Sequence, residues 1–433
     1  MFFRRREKTK PRVCVIGLDG VPHDLLARLA ADGVMPATAR ILRAGHLARM
    51  TVSLPEISAV SWSSFMTGAN PGVHGIFGFT DLKPGSYDLR FPSFLDLAAP
   101  TLWDRLGADG KRCVVVNQPA TYPARQINGV LISGFVAIDL RRAVYPASRV
   151  AELERMGYRI DVDVTKPEAL FEDLHATLTA RERAVEHLWA GEDWDYFQVV
   201  LTGTDRLHHL RWDAGADQAH PQHQAFLDYY RAVDGFVGRV RDRFEKLTGG
   251  HHGLYLLSDH GFDGITQEVY LNAWLHDRRY LDYEKEAPES VADISDETMA
   301  FALDPGRIYV NLRGRFPRGA VGPAEAPGLK AELAAELQKL QYDGQPVIRQ
   351  VFDAAELYHG PLAEKGPDLV LLSHRGFDLK GSVKRTDVFG RSAFQGMHTW
   401  DDAFFWSSGP VKDNLDITDL AEIVTAPLRE PPG

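Results

Sequence analysis

Three apolar runs, 13–18 (VCVIGL), 196–201 (YFQVVL) and 254–257 (LYLL), lack the polar/apolar alternation of a strand with one solvated face. A strand that is apolar on both sides needs cover on both sides, which is the condition of a parallel sheet sandwiched between helices. The intervening sequence supplies those helices. Apolar residues recur at three- and four-residue spacing over 167–190 and over 222–247, where Phe226, Tyr229, Tyr230, Val233, Phe236, Val237 and Val240 form one stripe. Shorter helices are expected at 22–31, 35–44 and 101–107, and further strands at 48–54, 112–117 and 129–134. Pro22 suits a first helical turn, and Gly33 and Gly45 suit helix stops. Strands alternating with helices predict an α/β fold, a mostly parallel central sheet with helices on both faces.

In such sheets ligands gather beyond the carboxyl ends of the strands. Three of the strands run directly into acids or histidines: Asp19 between Gly17 and Gly20, Asp205 to His209, and Asp259-His260. A fourth segment, Gly396-Met397-His398, is loosened by glycine. Asp205 and His209 are four apart and share one face of a helical turn; His208, three from the acid, could also reach, and spacing favours neither. Asp259 and His260 abut an apolar strand, where unpaired ionisable groups are costly, and Gly261 permits the turn that would let both converge. Alone, Asp19 reads as a turn or cap residue and His398 as an ordinary loop histidine. Together the segments suggest one site able to hold two divalent metals. Ser58 is expected at the N-cap of a helix over 59–66. That placement is common for serine, yet it would also aim helix N–H groups at a phosphoryl oxygen while Oγ faces a metal. Metal coordination is one way to activate an otherwise weak hydroxyl nucleophile.

Composition narrows the partners. With 49 Lys+Arg against 59 Asp+Glu, the net charge of −10 argues against a nucleic-acid binder, which usually presents a basic face. It allows a phosphate ester held through metals, since cations supply the positive charge locally. The 433 residues could fill two or three domains, but large α/β enzymes often use such a length for one sheet with insertions. The expected organisation is a flexible basic arm at 1–11 and a single catalytic domain at 12–433. An irregular stretch at 262–327, rich in acids, proline and glycine, is expected to be an inserted lid. Cys14 and Cys113, the two cysteines, lie in strand-like runs and read as buried thiols, which suits a reducing compartment. The positive start is followed by Thr9-Lys10-Pro11-Arg12 where a signal peptide would turn apolar, and no run approaches the ~18 apolar residues of a membrane span. A cytoplasmic protein is expected.

The stretch Pro55-x-x-Ser58-x-x-x-Trp62-x-Ser64-x-x-Thr67-Gly68-x-Asn70-Pro71-x-x-His74-Gly75-Ile76, followed by Thr204-Asp205 with His209, Ser258-Asp259-His260-Gly261-Phe262 and Gly396-x-His398, resembles the alkaline phosphatase superfamily. Within it, the likeness is to the type I phosphodiesterase/nucleotide pyrophosphatase branch and spans most of the chain. The resemblance implies an alkaline-phosphatase-like three-layer sandwich and a hydrolase of phosphodiesters or nucleotide pyrophosphates acting through a phosphoseryl intermediate on Ser58. It further implies two metals, one on Asp19, Ser58, Asp259 and His260, the other on Asp205, His209 and His398; imidazole and carboxylate donors without thiolate suit Zn2+, with Mn2+ as the second choice. This favours His209 over His208. Phe77, Arg206 and Trp400 flank the motifs and are expected to line the pocket, while His74 is expected to be structural. Family phosphodiesterases commonly carry Thr as nucleophile and Asn three residues on, whereas this chain has Ser58 and Ser61, which puts the phosphoryl-binding role of position 61 and the preference for diesters in question. The sulfatase branch needs x-Pro-x-Arg after its nucleophile, which Ala59-Val60-Ser61-Trp62 does not provide. Alternatives are a phosphomonoesterase or phosphotransferase on the same metals, and a non-catalytic binding protein of this fold. The substrate is expected to be a small phosphate ester or nucleotide; the oligomeric state is not encoded in any recognisable signal.

Overall fold

The computed structural model describes residues 10–429, so nearly all of the expected basic arm lies outside the described residues. Its centre is a nine-stranded sheet. The order is Leu415–Asp416, His46–Thr51, Ala403–Ser407, Leu254–Leu257, Val13–Leu18, Tyr196–Leu201, Cys113–Gln118, Gly129–Ser133 and Val144–Tyr145. The five strands from Leu254–Leu257 to Gly129–Ser133 run parallel, with Val13 opposite Tyr196 and Cys14 opposite Leu254. Ala403–Ser407 joins antiparallel to both of its neighbours. The apolar runs read from sequence are therefore the buried middle of the sheet, and the expected α/β class is what the chain adopts.

Helices cover both faces. On one side His23–Ala31, Pro36–Arg43, Leu170–Gly191, Gly203–Ala216 and His223–Thr248 pack through Leu26, Leu178, Leu207, Tyr230 and Phe236 onto Ile16 and Val199. On the other, Ser58–Thr67, Leu102–Ala108 and Leu420–Arg429 pack through Trp62, Trp103 and Val424 onto Val15 and Val200. Strand faces alternate side chains, so adjacent residues of one strand serve opposite layers.

The irregular 262–327 stretch is not a self-contained insertion. Ala300–Leu303 and Arg307–Val310 share a four-stranded sheet with Ile348–Asp353 and Leu369–Ser373. Gln267–Tyr270 is held between Phe377–Lys380 and Phe389–Gly390. A separate apolar cluster including Trp274, Phe301, Tyr309, Leu333 and Leu371 fills this smaller lobe. Among the described residues no helix is long and apolar enough to cross a membrane.

Candidate metal centre and active site

The parallel strands deliver their terminal acids to one edge. Asp19 follows Val13–Leu18 directly, Ser258-Asp259-His260 follow Leu254–Leu257, and Asp205 and His209 sit in the first turns of the helix after Tyr196–Leu201. His398 arrives from elsewhere. It lies on Gly396–Thr399, which pairs antiparallel with Gly261–Gly264 and sets His398 opposite Phe262. Gly261 is needed for closeness rather than for a turn: a Cβ there would stand 2.4 Å from Thr399 Oγ1. Gly20, with φ +66°, occupies left-handed backbone and donates its N–H to Asp259 Oδ1 at 3.1 Å.

Each of the three carboxylates is gripped by one oxygen. Trp62 Nε1 donates to Asp19 Oδ2 at 3.1 Å, Gly20 N to Asp259 Oδ1, and Arg206 Nη1 to Asp205 Oδ2 at 3.0 Å. The other oxygen faces the histidines. Asp259 Oδ2 is 3.3 Å and Asp19 Oδ1 3.7 Å from His260 Nε2, while Asp205 Oδ1 is 3.4 Å from His209 Nε2, 3.3 Å from His398 Nε2 and 4.0 Å from His260 Nε2. Asp259 Oδ2 and Asp205 Oδ1 are buried and have no hydrogen-bond partner. Buried polar atoms are normally satisfied, so such a pair of orphans calls for a missing partner.

The rings point the same way. His209 Nδ1–H donates to Gly396 O at 3.0 Å, His398 Nδ1–H to Glu56 O at 2.9 Å and His260 Nδ1–H to Gly261 O at 3.0 Å. A carbonyl only accepts, so in each neutral ring Nδ1 carries the proton and Nε2 presents a lone pair. Two of these lone pairs, on His209 and His398, stand 3.0 Å apart. A cation between them removes the repulsion, and a second-shell carbonyl on the far nitrogen is the usual arrangement of a ligating histidine. Two ligand groups result, Asp19/Asp259/His260 and Asp205/His260/His398, the atoms within each lying within 4.8 Å of one another. His260 stands within reach of both, and His209 borders the second. The residues present fit a pair of divalent ions.

Burial dominates the electrostatics. It raises Asp19, helped by Asp259 and Asp205, and lifts Asp259 to about 7. It pushes His209 down to about 3 and lowers His260 as well, the latter also through His398. Burial opposes the Asp205 carboxylate too, but the facing His209, Arg206 and His398 hold it well below the usual range.

Ser58 is the first residue of its helix, not the cap. Ile57 caps with extended backbone and, being apolar, makes no side-chain bond, while Ser58 Oγ faces His260 Nε2 (3.0 Å) and Asp19 Oδ1 (3.4 Å). One turn later Ser61 is buried, and its Oγ has no partner. His208 stays outside the cluster, its nitrogens spent on Gly20 O at 2.8 Å and Tyr230 OH at 2.7 Å. His74 is fully buried between Ser64 Oγ and the Ile76 N–H.

Three residues expected at the pocket wall do not line the cavity beside the cluster. Phe77 is fully buried with Leu54, Val370 and Leu372, edge-on to Tyr358 at 5.2 Å, because it ends an apolar turn that closes a small separate core. Trp400 donates Nε1 to Val52 O at 2.8 Å and sets its ring beside Phe352 and Arg349. Arg206 is taken up by carboxylates: besides Asp205 it reaches Asp161 Oδ2 through Nε (3.0 Å) and Nη2 (2.6 Å), with its guanidinium 4.1 Å over the Phe135 ring. It fixes Asp205.

The space beside the cluster is a cavity of about 310 Å³ reached by His209 and His398 and walled by Glu56, Phe79, Asp304, Asp378, Lys380 and Phe394. Sequence reasoning missed this wall. Asp378 and Lys380 lie two apart on one strand and so share a face, a signal that was available; nothing local marked Glu56 or Asp161. A larger depression of about 860 Å³, lined by His276, Tyr283, Lys285 and Arg385, contains none of the clustered side chains. A third acid–imidazole group, His23/Asp24/Asp402, is already paired with Arg49.

With this geometry established, comparison with known proteins decides the family. Residues 13–401 match type I phosphodiesterase / nucleotide pyrophosphatase. The chain belongs to that family. It is accordingly a phosphoester hydrolase. No curated protein matches in sequence. Among solved structures, phosphonoacetate hydrolase from Sinorhizobium meliloti 1021 in complex with phosphonoformate superposes with a TM-score of 0.64 at 17% identity, over 98% of this chain and 97% of that one. Murine ectonucleotide pyrophosphatase / phosphodiesterase 5, inactive and in complex with AMP, gives 0.58 at 14%, over 98% and 96%. The alkaline phosphatase PafA gives 0.59 at 14%, over 98% and 97%. At these identities the likeness establishes the alkaline-phosphatase-like fold.

Proposed function

We propose that this family member hydrolyses phosphodiesters through a phosphoseryl intermediate on Ser58, with two divalent ions, zinc before manganese, held by Asp19, Ser58, Asp259 and His260 and by Asp205, His209 and His398. The observation that carries the reading is the set of carboxylates each held by one oxygen, with Asp259 Oδ2 and Asp205 Oδ1 left bare toward imidazole lone pairs. Imidazole and carboxylate donors without thiolate suit zinc or manganese. When bound, such ions neutralise phosphoryl oxygens and lower the pKa of an attacking hydroxyl.

The chain's own groups account for the rest. Ser58 Oγ, beside Asp19 and His260, forms a bond to phosphorus as the bond to the departing alcohol breaks and the alcohol takes up a proton. Water then cleaves the phosphoseryl bond and restores the hydroxyl. In the first turn of the Ser58–Thr67 helix the Val60 and Ser61 N–H groups bond to Ile57 O, which leaves those of Ser58 and Ala59 as donors for phosphoryl oxygens, and the unpartnered Ser61 Oγ one turn on adds a further donor. Arg206 keeps Asp205 in place. The smaller lobe, including much of 262–327, supplies the wall and serves as the lid of a single catalytic domain. Both cysteines are free and buried, in keeping with a cytoplasmic setting.

Ser58→Ala tests the assignment. Turnover of a chromogenic diester should fall by about 10³-fold or more while bound zinc stays near the wild-type amount. A variant that keeps most of its activity removes Ser58 from the nucleophile's role. Rates on a mono- and a diester of the same alcohol separate a diesterase from a monoesterase.

A further inference from the structure

The cavity next to the cluster has a chemical character of its own. Glu56 lines it, is nine-tenths buried and leaves Oε2 without a hydrogen-bond partner. A carboxyl oxygen withheld from water and given no donor is unfavourable until something supplies one. Asp304 and Asp378 line the same cavity. Lys380 is the lysine or arginine among the lining residues, and its Nζ is committed to Asp378 Oδ2 at 2.7 Å. Neither Glu56 nor Asp304 has an ion-pair partner among the described residues. The neighbouring His209 and His398 turn their Nε2 atoms to Asp205 rather than to Glu56. Phe79 and Phe394 add aromatic surface, which also favours a cation.

We propose that this cavity binds the alcohol half of the substrate and selects alcohols carrying a protonated amine, the ammonium donating to Glu56 with Asp304 adding to the field. The proposal deepens the phosphodiesterase reading and rests on it. A volume of about 310 Å³ holds a short amino alcohol, and its position beside His209 and His398 places that alcohol next to the phosphorus attacked by Ser58. The bond broken is the same; the added claim concerns only which alcohol is recognised. A charge-assisted hydrogen bond from an ammonium to a buried carboxylate is among the stronger single contacts available to a small ligand.

The test uses two diesters that differ only in charge, 2-aminoethyl methyl phosphate and propyl methyl phosphate, with the metal-loaded full chain and all products followed by phosphorus NMR. The wild type should favour the amine by about tenfold or more in kcat/KM. In Glu56→Gln that preference should shrink toward unity, and in Asp304→Asn it should shrink less. The ratio is read within each protein, so partial unfolding does not imitate the effect, and Asp304→Asn decides if Glu56→Gln does not fold. Equal rates on both esters, or an undiminished preference in folded Glu56→Gln, overturn the amine selection and leave the diesterase standing. Hydrolysis of neither ester overturns the diesterase reading and this inference with it.

Discussion

Asp161→Asn isolates a residue that touches no candidate metal ligand directly, yet should govern the metals. Asp161 accepts from Arg206 Nε and Nη2 through Oδ2 and from Thr202 Oγ1 at 3.0 Å through Oδ1, and Arg206 in turn fixes Asp205 Oδ2. The side chains of Arg206 and Asp161 are 15% and 19% exposed, so their attraction is only partly screened. Deleting one partner of a buried pair costs about 3–5 kcal/mol. Asparagine can keep its one carbonyl oxygen toward Arg206 but sets an NH2 donor against Thr202 Oγ1, which must then turn from donor to acceptor; with the Arg206 bonds retained, the expected loss is nearer 1.5–3 kcal/mol, the range for a hydrogen bond to a charged group. The uncompensated guanidinium then bears on Asp205 alone, with two consequences of one sign: Asp205 is pulled from the histidines, and positive charge rises where cations bind. Zinc affinity at the Asp205 site should fall by about 10- to 100-fold, as for other second-shell changes. Competition against a chromophoric chelator reads this, with the melting curve of the metal-free protein as the control. A variant that melts like the wild type and holds zinc equally well refutes the chain Asp161, Arg206, Asp205.

Metal affinity should also depend on pH. Burial raises the Asp259 pKa to about 7, so below that value a bound proton must be displaced by the metal and above it none is present; affinity should weaken about tenfold from pH 8 to pH 6. An affinity flat across that window in chelator titrations would count against Asp259 as a ligand. Phe77→Ala should cost about 3–5 kcal/mol in denaturant unfolding with kcat/KM per folded molecule unchanged, and a selective rise in KM would return Phe77 to the pocket. Gly17→Ala would place a Cβ 2.6 Å from the buried Trp62 ring whose Nε1 holds Asp19, and should lower stability by about 1–3 kcal/mol together with zinc retention. Retention without loss would show that Trp62 does not position Asp19.

The parts of the fold that were legible are those written locally. The runs at 13–18, 196–201 and 254–257 are strands within a residue of their expected limits, and the long 222–247 helix is His223–Thr248. The 48–54 strand starts two residues early, at His46, since pairing with Ala403–Ser407, over 350 positions away, sets its limits rather than its own composition. The smaller lobe escaped for the same reason: Arg307–Val310 is held by Leu369–Ser373, and no short window of sequence contains both. Asp19, Asp259 and His260 were readable because they directly follow strands, and Asp205 and His209 because they open the next helix, whereas His398 sits inside a strand fixed by its pairing with Gly261–Gly264; Phe77 and Trp400 were assigned to the pocket by adjacency in sequence, which says little about direction in space. Asp161 and Glu56 are ordinary acids until Arg206 and the cavity are seen.

The smaller lobe owns an interior, with Trp274, Phe301, Tyr309 and Leu371 in contact, apart from the layers that flank the nine-stranded sheet. Regions with separate interiors can open at separate free energies. The cavity beside the cluster is walled from both bodies: Glu56 comes from the chain leading into Ser58, while Asp304, Asp378 and Lys380 come from the smaller lobe, so an opening of that lobe would part the two halves of the wall and leave Asp19, Asp205 and Asp259 in place.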